Sequence, residues 1–259
     1  MVRRRRTGKT AVMAVGTAIF DDLEAEYDRL DAILAGLDEA AWMTASAAPG
    51  WTVCDVVLHL ALTEEQVLHT INDPAPAERN PLDGTTDQHV DRDVVANRTA
   101  PDAVYPRWQA ACRASVPALR GADPDRPIAW AAWPLKPATL ATTRIAEHWA
   151  HALDITEPLA IPFPDTDRLR HIAWLGHGTL PYAFGRLGED APPVRCELTA
   201  PDGVTVWTFG PEDAPSRITG PAGAFCRVGA QRLKPEDSGL VASGPHAQAA
   251  LRVLRNYAA

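Results

Sequence analysis

The segment RIAEHWAHALD at residues 144–154 carries the most information in the chain. Read as a helix, it places Glu147 and His151 four residues apart, and therefore on one face. At that spacing a carboxylate oxygen and an imidazole nitrogen can bind one metal ion, each at about 2 Å. Asp154 follows one turn later, where it can orient the imidazole of His151. The segment predicts a helix that carries part of a metal site.

A third candidate ligand lies upstream, in the segment GWTVCDVVLHL at residues 50–60, where His59 falls on the apolar face of a predicted helix. A lone histidine in this setting more often packs in a core, and Glu147 with His151 can equally be a solvated pair. The three residues together are stronger evidence for a metal site than each alone, because each helix has an apolar flank that would point its ligand residue inward. Three protein ligands leave one coordination position open, as in catalytic metal sites.

The composition is that of a soluble globular protein. The chain has 259 residues, 46% of them hydrophobic, and a formal net charge of −8. This acidity argues against nucleic acid as the main partner, and no apolar run is long enough to cross a membrane. The four cysteines form no CxxC pair, which indicates buried reduced thiols in a cytoplasmic protein.

The pattern of apolar residues divides the chain into three parts. Residues 1–16 begin with a basic run and are predicted to be a disordered extension. Residues 17–160 show helical periodicity, with helices from Thr17 to Leu37, from Thr52, from Asp102 and across the 144–154 segment. Residues 73–101 are rich in Pro, Asp and Asn and are predicted to be a long connection.

Strand patterns appear only after residue 160. Residues 161–259 are predicted to form a small α+β domain, so that the fold class of the whole chain is α+β. The turn at Asp202-Gly203 joins two predicted strands in a hairpin. The predicted helices cover residues 166–184, 221–233 and 246–257, and the predicted strands cover residues 194–199, 204–209, 217–219 and 240–243.

These motifs resemble the mycothiol-dependent maleylpyruvate isomerase family, which belongs to the DinB-like metal-binding four-helix bundles. The likeness rests on PGWT at residues 49–52 with His59, on Glu147 and His151, and on the C-terminal segments ELTAPDG (197–203), TGPA (219–222) and QRL (231–233). It is closest to an actinobacterial subgroup known only as metal-binding proteins. The resemblance implies an N-terminal bundle that binds a divalent metal, usually zinc, on His59, Glu147 and His151, followed by a small C-terminal α/β domain.

The resemblance further implies a zinc-dependent isomerase or transferase that uses a small thiol such as mycothiol on an electrophilic small molecule. Arg144 and Arg232 are candidate catalytic residues that could hold a carboxylate or the polar groups of the thiol, although each could equally be a surface arginine. The alternative is a thiol-independent, metal-dependent hydrolase, lyase or cyclase of specialised metabolism. A third possibility is a binding protein whose metal has a filled coordination sphere. We expect a monomer or homodimer without nucleic acid or membrane partners.

Overall fold

The computed structural model describes residues 8–72, 86–130 and 133–257, and their side chains except at 8–17 and 86–87. The N-terminal part is helical and the C-terminal part contains a small mixed sheet, which confirms the predicted α+β fold. The helices of the first part are α1 (Gly8–Leu34), α2 (Glu39–Trp42), α3 (Val53–Asn72), α4 (Thr86–Asn97), α5 (Pro101–Gly121) and α6 (Pro137–Thr156).

The long helices pack through apolar stripes of helical period. On α1 the buried residues Leu23, Tyr27, Leu30 and Leu34 recur at steps of three and four, and they face α5. α5 also packs along α3, whose first half is buried on every side. A helix that is apolar all round lies at the centre of a bundle. The centre of the helical part is therefore the half of α3 that carries His59.

The start of α3 is fixed by a capping box, as the spacing of Thr52 and Asp55 predicts. The Asp55 carboxylate accepts hydrogen bonds from the Thr52 backbone N–H and hydroxyl, both at 2.9 Å, and the Thr52 hydroxyl oxygen accepts from the Asp55 N–H at 3.2 Å. Arg98 adds a fork of two hydrogen bonds to the same carboxylate, at 2.8 and 3.2 Å. Four donors thus hold one side chain where the helix begins.

The C-terminal part combines four helices with a four-stranded sheet. Its elements are α7 (Leu169–Gly178), α8 (Leu180–Gly185), β1 (Val194–Thr199), β2 (Val206–Phe209), β3 (Ser216–Pro221), α9 (Ala222–Gly229), a 3₁₀ turn (Pro235–Asp237), β4 (Val241–Ser243) and α10 (Ala247–Val253). The strand order is β2-β1-β3-β4, with β1 parallel to β3 and the other two pairings antiparallel. One face of the sheet is buried, and α7, α9 and α10 contact its strands.

Several predicted boundaries differ from the structure. α1 begins at Gly8, before the predicted start at Thr17, and residues 1–7 of the predicted extension lie outside the described residues. The predicted connection 73–101 is wrong in part, because α4 occupies residues 86–97. Among the side chains of α4 that the structure describes, only Val94 is buried, so the helix lacks a clear apolar stripe. Residues 73–85 lie outside the described part of the chain.

Two further differences concern helix ends. The helix predicted over 166–184 is interrupted at Thr179, because Pro181 in the first turn of α8 has no N–H to continue the ladder. The helix predicted over 221–233 ends at Gly229, where the chain turns through a left-handed residue, Gln231. Within the described residues, no helix has the length and apolar character needed to span a membrane.

Candidate metal centre

Helix α6 presents Glu147, His151 and Asp154 at the spacing that the sequence predicts. Nε2 of His151 lies 3.4 Å from a Glu147 carboxylate oxygen, and Nδ1 of His151 lies 2.9 Å from a carboxylate oxygen of Asp154. Burial by itself lowers the pKa of His151, but the hydrogen bonds to Asp154 and Glu147 outweigh it and raise the pKa. The contact at Nδ1 places the Asp154 carboxylate where it can orient the imidazole, with Nε2 on the side of Glu147.

Asp154 is itself held by Arg232, from a distant part of the chain. The guanidinium donates to both carboxylate oxygens, at 2.7 and 2.6 Å, and Asp154 is only 1% exposed. Burial alone would raise the pKa of Asp154, but the hydrogen bonds from His151 and Arg232 keep it below its ordinary value. The carboxylate therefore stays charged between the imidazole and the guanidinium.

Arg232 reaches Asp154 because of the way α9 ends. The Arg232 N–H donates to the Arg227 carbonyl at 2.8 Å and the Gln231 N–H donates to the Val228 carbonyl at 3.0 Å, which is the Schellman pattern. Gln231 takes the left-handed conformation of this motif, with φ of 60°, where glycine is usual. Its side chain compensates by donating to the carbonyls of Val228 and Leu254. The turn fixes the direction in which the chain leaves the helix at Arg232.

His59 lies on the buried face of α3, as predicted, and is 5% exposed. The ring of Trp51, from the turn before the helix, lies against the imidazole with 5.3 Å between ring centroids. Nε1 of Trp51 donates to Asp91 of α4 at 3.0 Å. The hydrogen bond between Trp51 and Asp91 has no local sequence signal, because it joins residues forty positions apart.

The ligand atoms of His59, Glu147 and His151 converge. All three lie within 4.8 Å of one another, which makes this group a possible metal site. The 3.4 Å between His151 Nε2 and the Glu147 oxygen suits a shared ion, because two atoms about 2.1 Å from a tetrahedral metal lie about 3.4 Å apart. Nitrogen and carboxylate donors of this kind fit a divalent cation such as zinc.

Arg144, the other candidate catalytic arginine, is buried beside α3. Its Nε donates to the Glu64 carboxylate at 2.6 Å, its Nη2 donates to the Thr63 hydroxyl at 2.6 Å, and its guanidinium lies over the Trp130 ring at 5.6 Å from the centroid. Glu64 was not singled out from the sequence, because an acid in a predicted helix gives no sign of burial. Both candidate arginines thus bind carboxylates of the protein itself, and substrate contact stays a prediction for each.

The described cysteines Cys54, Cys112, Cys196 and Cys226 are buried free thiols, as predicted. Burial raises the pKa of Cys54 to about 11 and that of Cys196 to about 12. Thiols with such pKa values are protonated at neutral pH and are poor nucleophiles.

Comparison with known proteins identifies the family of this chain. Residues 23–156 match the model of the mycothiol maleylpyruvate isomerase N-terminal domain. The chain therefore belongs to that family, as the resemblance of its motifs predicts. Two uncharacterized proteins, from two strains of Mycobacterium tuberculosis, are each 35% identical over 246 residues, which cover 92% of this chain and 94% of theirs.

The fold of this chain is also known from crystal structures. Two structures of the mycothiol-dependent maleylpyruvate isomerase, one of them a point mutant, superpose with a TM-score of 0.58 each. The alignments cover 89% of this chain and 92% of theirs, at 16% and 18% sequence identity. At that identity the similarity establishes a shared fold, which extends through both the helical part and the mixed sheet.

Proposed function

We propose that this protein is a metal-dependent isomerase or transferase that uses a small thiol, such as mycothiol, to act on an electrophilic small molecule. The observation that carries the proposal is the convergence of His59, Glu147 and His151 in a member of this isomerase family. The proposal includes zinc as the metal, a cytoplasmic location and a monomeric or homodimeric state.

In this proposal His59, Glu147 and His151 hold the metal, and the other residues set their geometry. A bound divalent cation lowers the pKa of a thiol and so supplies a thiolate at neutral pH. Asp154 keeps the proton of His151 on Nδ1, which leaves Nε2 as a donor atom for the ion. Arg232 keeps Asp154 ionised and fixes both of its oxygens.

The chemistry that suits an external thiolate is reversible addition to an activated alkene. The thiolate adds to one alkene carbon, the resulting single bond rotates, and expulsion of the same thiolate restores the double bond in the other geometry. No oxidant or reductant is consumed, so the sequence of steps is an isomerisation. If the sulfur stays on the product, the same addition is a transfer.

Metal content provides the first test. We expect one divalent ion per chain by elemental analysis of untagged, zinc-loaded protein. His59→Ala should lose most of this metal, because two ligands bind much more weakly than three. His89→Ala, a histidine of α4 outside the group, should keep it. Zinc-loaded wild-type protein without stoichiometric metal would contradict the site.

The use of a thiol is tested with the cobalt-substituted protein. Mycothiol or a simpler thiol should produce an intense near-ultraviolet sulfur-to-cobalt band and release about one proton per site. Glu147→Gln should weaken both signals. If thiols leave the spectrum unchanged while a hydroxamate perturbs it, the thiol-independent hydrolase or lyase becomes the better description.

A further inference from the structure

A buried ion pair with two half-buried neighbours joins α3 to α6 beside the proposed metal ligands. We call Arg144, Glu64, Thr63 and Trp130 the Arg144 cluster. The side chains of its ion pair, Arg144 and Glu64, are only 3% and 0% exposed. Because the cost of removing both charges from water offsets most of their attraction, a buried ion pair contributes little net stability compared with an apolar pair. Stability alone therefore does not account for these charges.

The position of the cluster along the two helices relates it to the metal ligands. Thr63 follows His59 by four residues on α3, and Arg144 precedes Glu147 by three residues on α6, so each lies on the same face as a ligand, about one turn away. The Nη2 of Arg144 donates directly to the Thr63 hydroxyl. The hydrogen bonds of the cluster thus join the two ligand-bearing faces at a point about one helical pitch, roughly 5.4 Å, from the ligands.

The fork of donors on Arg144 constrains how α3 and α6 can slide past each other. One N–H is fixed on the Glu64 carboxylate and another on the Thr63 hydroxyl, and the planar guanidinium holds these donors at a set separation. Apolar side chains in the same place would fill the volume but would tolerate small shifts along the helix axes.

We propose that the Arg144 cluster sets the axial register of α3 against α6 and thereby fixes the separation of His59 from Glu147. Arg144 is then a positioning residue, and it acts through the metal ligands without contact to the substrate. The inference rests on the proposed function, because it requires that these ligands bind a metal.

The test replaces the ion pair by apolar residues of similar volume, in the double variant Glu64→Leu, Arg144→Met. We expect a melting temperature of the metal-free protein equal to or above that of the wild type, because no charge is left unpaired. We also expect the dissociation constant for cobalt or zinc to rise by at least about tenfold, and the cobalt visible spectrum to broaden. Unchanged metal affinity in this folded variant would overturn the proposal.

A second ion pair that involves α3 provides the matched control. Arg107 of α5 forms a fork on Glu65 of α3, at 2.6 and 2.8 Å, one residue after Glu64 but outside the cluster. The double variant Glu65→Leu, Arg107→Met should keep the wild-type metal affinity and cobalt spectrum. An equal loss of metal affinity in this control would overturn the proposal, because the loss would then follow from removing any ion pair on α3.

Arg144→Lys keeps the positive charge but loses the fork, and it covers the case in which the Glu64→Leu, Arg144→Met protein does not fold. The folded lysine variant should show weaker cobalt binding by titration, and wild-type affinity would overturn the proposal. Failure of the proposed function looks different: the wild-type protein itself would then bind no cobalt, and the inference would fall with it.

Discussion

At the scale of single residues, Asp154 connects the proposed metal ligand His151 to Arg232. It accepts from His151 on one side and from the two-pronged guanidinium of Arg232 on the other. Both carboxylate oxygens are used, and the residue is almost completely buried. Because a carboxylate held by three donors cannot rotate, the imidazole plane of His151 is fixed before any metal binds.

The effect of Arg232 on the orientation of the His151 imidazole can be measured through metal affinity. In Arg232→Lys the ammonium group can bind only one oxygen of Asp154 at a time, so the carboxylate and the imidazole regain rotational freedom. We expect metal affinity to fall by about 10- to 100-fold, measured by competition with a chromophoric chelator.

The control for this prediction is Arg227→Lys in α9, the helix that ends just before Arg232. Arg227 binds both oxygens of Asp165 at 2.8 Å, so the substitution removes an equivalent fork. This variant should lose some stability and keep its metal affinity. If Arg232→Lys binds metal as tightly as the wild type, Asp154 does not need its guanidinium partner.

At the scale of secondary-structure elements, the start of α3 determines where His59 lies. The helix begins after Thr52, and His59 follows two turns later on the buried face. The Asp55 carboxylate holds this start through Thr52 and Arg98. Burial by itself raises the pKa of Asp55, but its hydrogen bonds with Thr52 and Arg98 outweigh burial and lower the pKa below the ordinary value.

The lowered pKa of Asp55 predicts how stability depends on pH. Asp55→Asn should lower the free energy of unfolding by about 1–2 kcal/mol at pH 7, since the charged cap and its ion pair are lost. A carboxyl with a depressed folded pKa stabilises above its unfolded pKa of about 3.9, and this contribution is lost as the pH falls through the folded pKa.

The free energies of unfolding of Asp55→Asn and wild type, measured with urea from pH 7 to pH 3, should therefore become more similar at the acid end. The control is Asp125→Asn, because Asp125 is exposed and paired with Lys136. Its free energy of unfolding should differ little from that of the wild type at any pH. A gap between Asp55→Asn and wild type that stays constant down to pH 3 would mean that the ionised carboxylate is not what stabilises the helix start.

The elements also show which features could be predicted from the sequence. The capping box, the apolar stripe of α1 and the hairpin at Asp202-Gly203 depend on residues a few positions apart, so their patterns are visible in the chain itself. The sequence does not predict α4, because its twelve residues are mostly polar and Val94 is the only buried one among those whose side chains are described. The break between α7 and α8 was missed although Pro181 marks it.

At the scale of the whole molecule, the grouping of the three proposed metal ligands could be predicted, and most of the contacts that support them could not. His59, Glu147 and His151 stand in family motifs, and Asp154 is one turn from His151. The contacts of Glu64 with Arg144 and of Asp154 with Arg232 join residues 80 and 78 positions apart. Such pairings follow from the packing of the entire chain, because no local periodicity relates the two partners.

Metal binding should change the stability of the molecule as a whole. A ligand that binds only the folded state stabilises it by about 2.7 kcal/mol at one hundred times its dissociation constant. Zinc at that excess should therefore raise the melting temperature of the wild-type protein, and a chelator should reverse the rise. His59→Ala should show little or no shift, whereas an equal shift in His59→Ala would place the stabilising zinc at another site.

The bond between Arg232 and Asp154 also has a consequence for protein synthesis. The ribosome makes the chain from its N-terminus, so all three candidate ligands emerge long before Arg232, which lies 78 residues beyond Asp154. Until that arginine has left the exit tunnel and α9 has formed, the Asp154 carboxylate lacks the two hydrogen bonds that it accepts from Arg232. Nascent chains that end before residue 232 should therefore capture zinc weakly, and tight loading should follow completion of the C-terminal part.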